Sequence, residues 1–127
     1  MQTYLSKIVR SDIETVINVV SKQLETAEFE VINRININGI FKEKLNTNFR
    51  AYNVLVVCNP TLAYKALLYK DKLGTLLPCI IIIQETHSGV EVAIPDPISS
   101  LQYDSSPEIC AISYLMKNKL KTAIENL

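Results

Sequence analysis

The sequence predicts an α+β fold, with about five strands in a mostly antiparallel or mixed sheet and helices packed on one face. Three observations indicate this. Apolar residues at helical spacing alternate along the chain with short β-branched runs, turn residues separate the runs, and a hairpin pattern stands near the end. The 127 residues, 48% apolar and 20% charged, suit one domain with its own core. Residues 1–127 are therefore expected to form a single domain in the order β-α-β-(short α)-β-α-β-β-α.

The first half of the chain begins with alternating and then helical apolar patterns. The expected elements are a strand over 3–10, a helix over 12–27, a strand over 29–37 and a short helix over 40–45. Ser11 and Glu14 have the spacing of a capping box, in which both side chains satisfy free backbone N–H groups at a helix start. Between Phe29 and Ile37 apolar residues alternate, with Asn33 as the exception.

The second half of the chain carries the most apolar strands. The expected elements are a strand over 52–58, a helix from 60 to near 74, strands over 79–86 and 90–94, a loop over 95–106 and a last helix capped near 105–108. Asn59-Pro60 suits a helix start, because Asn is a good N-cap and Pro is favoured at the first helical position. Four consecutive isoleucines, 80–83, predict a strand buried on both faces, which is either central in the sheet or at a subunit contact. His87, Ser88 and Gly89 predict a three-residue hairpin loop.

Charge and hydropathy exclude two classes of partner. Residues 73–116 carry five acidic side chains and no Lys or Arg, and no basic face emerges elsewhere, so nucleic-acid binding is not predicted. The longest apolar run, Leu76–Ile83, is interrupted by Pro78 and falls well short of the about 20 residues that a membrane span needs. The N-terminus lacks the pattern of a signal peptide, and the cysteine count, three, is odd. A soluble, cytoplasmic protein with reduced thiols is expected.

Cys58 is the cysteine with the clearest chemical context. It ends a predicted strand beside a helix N-terminus, where free N–H groups and the helix dipole favour a thiolate. With the backbone after Pro60 it would form an anion-binding or nucleophilic corner. The structural alternative is a small apolar side chain that fills space between strand and helix. Cys79 would approach Cys58 only in some strand orders, so a dithiol remains an open alternative.

Two short motifs resemble those of a known family. An apolar strand ends in Cys58-Asn59-Pro60, a helix with Ala and Leu follows, and Leu77-Pro78-Cys79 leads into the next apolar strand. In this pattern the chain resembles the family called domain of unknown function 302. The resemblance implies an α+β fold likened to that of the TATA-binding protein, and a homodimer, with no agreed reaction or cofactor. The candidate ligand-binding residues are those of the two motifs: Cys58, Asn59, Pro60, Pro78 and Cys79.

Other motifs for chemistry are weak. His87 is the only histidine and lies in the predicted hairpin loop, without the paired ligands that zinc sites show. Three glycines could hardly form a phosphate-binding loop. Four acidic residues around the hairpin would either bind a cation or form a solvated face, and the second is the expectation; they are Glu85, Glu91, Asp96 and Asp104.

Three classes of function therefore stand open. The first is a dimeric domain that binds a small ligand or a protein partner, which is the preferred interpretation. The second is a thiol-dependent enzyme or redox protein that uses Cys58, with or without Cys79. The third is a metal or haem carrier, for which the sequence offers few ligands. No cofactor or metal site is predicted, and the catalytic residues, if the chain is an enzyme, are unknown.

Overall fold

The computed structural model describes residues 4–75, 79–100 and 106–127. It confirms the predicted α+β class. The described chain forms five strands in one sheet, five α-helices and a 3₁₀ turn. The helices and strands, in chain order, are β1 (Tyr4–Val9), α1 (Ile13–Thr26), β2 (Glu30–Asn36), α2 (Ile37–Leu45), β3 (Tyr52–Cys58), α3 (Pro60–Tyr69), the 3₁₀ turn (Asp71–Thr75), β4 (Cys79–Thr86), β5 (Gly89–Pro95), α4 (Pro97–Ser100) and α5 (Pro107–Glu125).

The strands lie in the order β1-β5-β4-β3-β2, and every neighbouring pair is antiparallel. Helices α1 and α5 pack against one face, where side chains such as Leu55, Ile81 and Val92 are fully buried among apolar residues of both helices. A smaller apolar cluster joins α3 to the first half of α5, and the side chain of Cys79 touches both clusters. The core thus lies on one side of the sheet.

A β-bulge explains the Asn33 exception in the second strand. Val31 pairs with Val57 while Asn33 pairs with the next residue, Val56, so the register shifts at Ile32. A bulge inserts one residue and moves the following side chains to the other face. The alternation predicts that Ile35 lies on the same face of the sheet as Val31, but because of the bulge it lies on the face opposite Val31.

The start of α1 differs from the predicted capping box. Asp12 rather than Ser11 is the N-cap, and its carboxylate accepts hydrogen bonds from the Thr15 N–H (3.1 Å) and from the Thr15 hydroxyl. Glu14 does not reach back to the cap, because it forms an ion pair with Arg34 of β2. A carboxylate at the cap accepts the same N–H groups and also interacts favourably with the helix dipole.

Other predicted boundaries also differ from those of the structure. The short helix, α2, begins at Ile37 rather than at residue 40. The predicted third helix ends at Tyr69, and its remaining turn is the 3₁₀ turn. The hairpin loop has two residues instead of three, because Thr86 pairs directly with Gly89, whose φ of 143° only glycine adopts readily. The predicted loop after β5 contains the one-turn helix α4. In the described ranges no helix has the length and apolar character needed to cross a membrane.

Candidate functional site

The Cys58-Asn59-Pro60 corner lies where the sequence places it, at the junction of β3 and α3. Cys58 is the last residue of β3, and Asn59 caps α3 by accepting a hydrogen bond from the Leu62 N–H at 3.1 Å. Pro60 is the first helical residue. Asn59 is buried, with 4% of its surface exposed. Its side-chain oxygen is used by the helix, so a structural role accounts for that oxygen.

Antiparallel pairing brings the two candidate cysteines to one end of the sheet. Cys79 begins β4 and pairs with Val57, the residue before Cys58. Because successive side chains of a strand point to opposite faces, Cys79 lies on the helix-covered face and Cys58 on the other. Both thiols are free, and their directions do not favour a dithiol. Pro78, the remaining candidate residue, lies outside the described ranges.

The electrostatic surroundings of Cys58 are the opposite of those expected. Burial raises the pKa of its thiol, and the carboxylate of Glu30, its cross-strand partner, adds to the rise. The predicted lowering by the α3 N-terminus is therefore wrong in direction. One free N–H of the first turn, that of Leu62, is already taken by Asn59. Burial also raises the pKa of Cys79, to about 11, with a smaller contribution from Cys58. Both thiols are thus held in the protonated form near neutral pH.

The acidic residues near the hairpin do not gather into one site. Glu85 and Glu91 lie on opposite faces, because Glu91 pairs with Gln84, the neighbour of Glu85. Asp96 is buried and pairs with Lys117 of α5, 3.0 Å away. Asp104 lies outside the described residues. Within the described part of the chain, no three His, Cys, Asp or Glu side chains group as metal ligands would.

The opposite end of the sheet holds three residues that the sequence analysis did not single out: Arg50, Gln84 and Thr86. A shallow depression of ≈ 590 Å³ lies at the β4–β5 hairpin and is lined by Arg50, Gln84, Glu85, Thr86 and His87. His87, which the sequence analysis did consider, is exposed. The local signal that could have marked Arg50 is its position among aromatic residues, in Phe49-Arg50-Ala51-Tyr52.

The second face of the sheet is an open, largely apolar surface. It is made of cross-strand rows, one with Ser6, Ala93, Ile82, Val54 and Ile35, the next with Ile80, Val56 and Asn33. Ile80 is 44% exposed, and Val54, Val56 and Ile82 are half-buried. As one of the two predicted alternatives has it, β4 is the central strand of the sheet, but within the single chain its second face is not buried. Only its alternate residues, Ile81 and Ile83, are fully buried. We call this surface the open face.

Comparison with known proteins places the chain in a family. The family model described as "Domain of unknown function DUF302" matches residues 5–127, and the protein belongs to that family. Among solved structures, the chain is similar to an uncharacterized conserved DUF302 protein from Bacillus stearothermophilus. The two share 18% sequence identity over 98% of each chain, with a TM-score of 0.91, which shows a common fold. None of the curated proteins searched matches the chain.

Proposed function

We propose that the protein is a homodimeric binding domain for a small ligand or a protein partner, and that a second copy packs on the open face. The observation that carries this proposal is the row of apolar side chains on β3 and β4 opposite the core. Ile80 and Ile82 continue an isoleucine run whose other members, Ile81 and Ile83, have no exposed surface. Covering an apolar sheet face of this kind with another sheet is favourable, because it removes apolar surface from water.

The charge distribution of the open face suits a second copy. A stable contact buries about 600 Å² or more on each partner, less than a tenth of the 7625 Å² surface of the chain. The two apolar rows carry no charged side chain, so two identical faces can meet without charge repulsion. The charged residues Glu30 and Glu91 stand in the flanking rows. Such an arrangement, an apolar centre with a polar rim, is typical of subunit contacts.

Sedimentation velocity at micromolar concentration tests the proposal directly. The wild-type protein is expected to sediment as a dimer, and Ile80→Glu as a monomer, because the variant places a charge within the apolar rows. Leu68→Glu is the matched control, since Leu68 is 70% exposed on α3, away from the open face. It should remain dimeric. A monomeric wild-type protein would refute the dimer. A dimer that resists Ile80→Glu but dissociates with Leu68→Glu would place the contact on α3 instead.

The thiol-dependent alternative receives less support from the geometry. Cys58 and Cys79 lie on opposite faces, and the pKa of each thiol is raised, whereas a nucleophilic thiol needs a lowered pKa. The proposed setting is the cytoplasm, where reduced cysteines are the norm. The three free cysteines are consistent with it.

A further inference from the structure

Arg50 at the hairpin-end depression is held in a fixed orientation. Its Nε–H donates to the side-chain oxygen of Gln84 at 2.8 Å. Its guanidinium lies over the ring of Phe49, 4.3 Å from the ring centre, and 6.0 Å from the ring centre of Tyr52. Phe49 in turn packs edge-on against Phe41. The stacking and the hydrogen bond together restrict a side chain that would otherwise sample many rotamers.

A second hydrogen bond determines which way Gln84 faces. Its side-chain nitrogen donates to the carboxylate of Glu91 at 2.9 Å, and the two residues are direct cross-strand partners. A carboxylate only accepts, so the amide nitrogen must face Glu91 and the amide oxygen must face Arg50. The series of hydrogen bonds Glu91–Gln84–Arg50 therefore holds the guanidinium in a fixed orientation relative to the sheet.

The two terminal nitrogens of Arg50 remain available to a ligand. Within the described residues, no group accepts a hydrogen bond from Nη1 or Nη2, and no carboxylate lies within ion-pair distance of them. Both nitrogens belong to a side chain that lines the depression, together with His87 and Thr86. The Thr86 hydroxyl is already used, because it donates to the Gly89 carbonyl and accepts from the Ser88 N–H. The outer edge of Arg50 and the imidazole of His87 therefore offer donors to a ligand.

We propose that this depression binds a small organic carboxylate, whose two oxygens accept hydrogen bonds from Nη1 and Nη2 of Arg50. The planar end of a guanidinium matches a carboxylate in a two-point contact. Glu85 lines the depression and Glu91 lies behind Gln84, so the site already contains negative charge. A monoanion is therefore favoured over a phosphate dianion, because repulsion from these carboxylates grows with ligand charge. This site goes beyond the proposed function, since it belongs to a single chain and does not require the dimer.

The test is a titration of the isotopically labelled protein with benzoate, acetate and inorganic phosphate, followed by NMR. Benzoate and acetate should give saturable shifts of the backbone amides of residues 86–88. Arg50→Gln should weaken this binding about tenfold or more, because hydrogen bonds to a charged group are lost. Arg50→Lys should also weaken it, since a lysine keeps the charge without the two-point geometry. Lys121→Gln, which removes a cation from the exposed surface of α5, should bind as the wild type does.

Gln84→Leu tests the orienting series, because Arg50 keeps its charge but loses the partner of its Nε. Weaker benzoate binding, with unchanged sedimentation, would support a positioning role for Gln84. Three results would overturn the proposal: no saturable shift with either carboxylate, equal benzoate binding by Arg50→Gln and wild type, or tighter binding of phosphate than of benzoate. Ile80→Glu keeps the two proposals separate. A monomer that still binds benzoate would confirm that the site is independent of the dimer.

Discussion

Neighbouring isoleucines of β4 should respond very differently to the same truncation. Ile81 is fully buried under the helices, whereas Ile82 is half-buried on the open face. Replacing isoleucine by alanine removes three carbon atoms, a transfer cost of about 2.4 kcal/mol for a fully buried side chain. The cavity left in a close-packed core increases the cost of Ile81→Ala to about 3–4 kcal/mol. For Ile82→Ala in a monomer, partial burial and the lack of an enclosed cavity reduce the cost to about 1 kcal/mol.

Urea unfolding followed by circular dichroism measures both costs. At concentrations where sedimentation shows a monomer, the difference between Ile81→Ala and Ile82→Ala in free energy of unfolding should be about 2 kcal/mol or more. At higher concentration Ile82→Ala should become more costly, because a second copy that covers Ile82 adds its binding energy to the stability of the wild type. Equal costs for the two variants in the monomer would refute the assignment of the faces. A cost for Ile82→Ala that does not change with concentration would refute the proposed contact.

Three further predictions concern the thiols and the buried ion pair. Native-state alkylation followed by mass spectrometry should label the exposed Cys110 first, Cys58 next and Cys79 last, and fastest labelling of Cys58 would contradict its raised pKa. Because the folded state raises the pKa of Cys79 from 9.0 to about 11, its contribution to the free energy of unfolding is complete below about pH 9 and is lost as the pH rises toward 11. The wild type should therefore lose stability relative to Cys79→Ala across that window, and parallel pH profiles would contradict this. Lys117→Met should reduce the free energy of unfolding by about 1–3 kcal/mol, because it leaves the buried Asp96 carboxylate without its cation, and adding Asp96→Asn should recover part of the loss in the same urea assay.

Local patterns predicted the elements well where one physical signal dominates. The β-branched runs of β3 and β4 and the Asn59 cap of α3 were predicted correctly, since each depends on residues near in sequence. The burial of β4 was predicted less well. An isoleucine run shows that both faces avoid water, but it does not show whether helices or a second chain cover the second face. In this fold both α1 and α5 lie on the same side of the sheet, so the side chains of Ile80 and Ile82 lie on the open face.

The relation between Cys58 and Cys79 depends on pairing register, which a sequence does not contain. Antiparallel order brings the two residues to the same end of the sheet, and a register that pairs Cys79 with Val57 separates their side chains onto opposite faces. A shift of one residue would have placed both thiols on one face. The bulge at Ile32 has a similar effect in β2, where it reverses the face of Ile35. Single-residue register therefore decides whether the predicted cysteine pair can act together.

The location of the candidate site also depends on strand direction. Ligands collect at the carboxyl ends of strands in parallel sheets, where crossover helices begin, and that tendency favours the Cys58 corner. In an all-antiparallel sheet, each end carries the starts of some strands and the ends of others. The tendency therefore does not predict at which end a ligand binds. Local charge then becomes the better guide. At the Cys58 end both thiols are kept neutral by burial, whereas at the hairpin end the two terminal nitrogens of Arg50 have no acceptor among the described residues. Recognition of an anionic ligand is therefore expected at the hairpin end, opposite the family motif that first suggests a site.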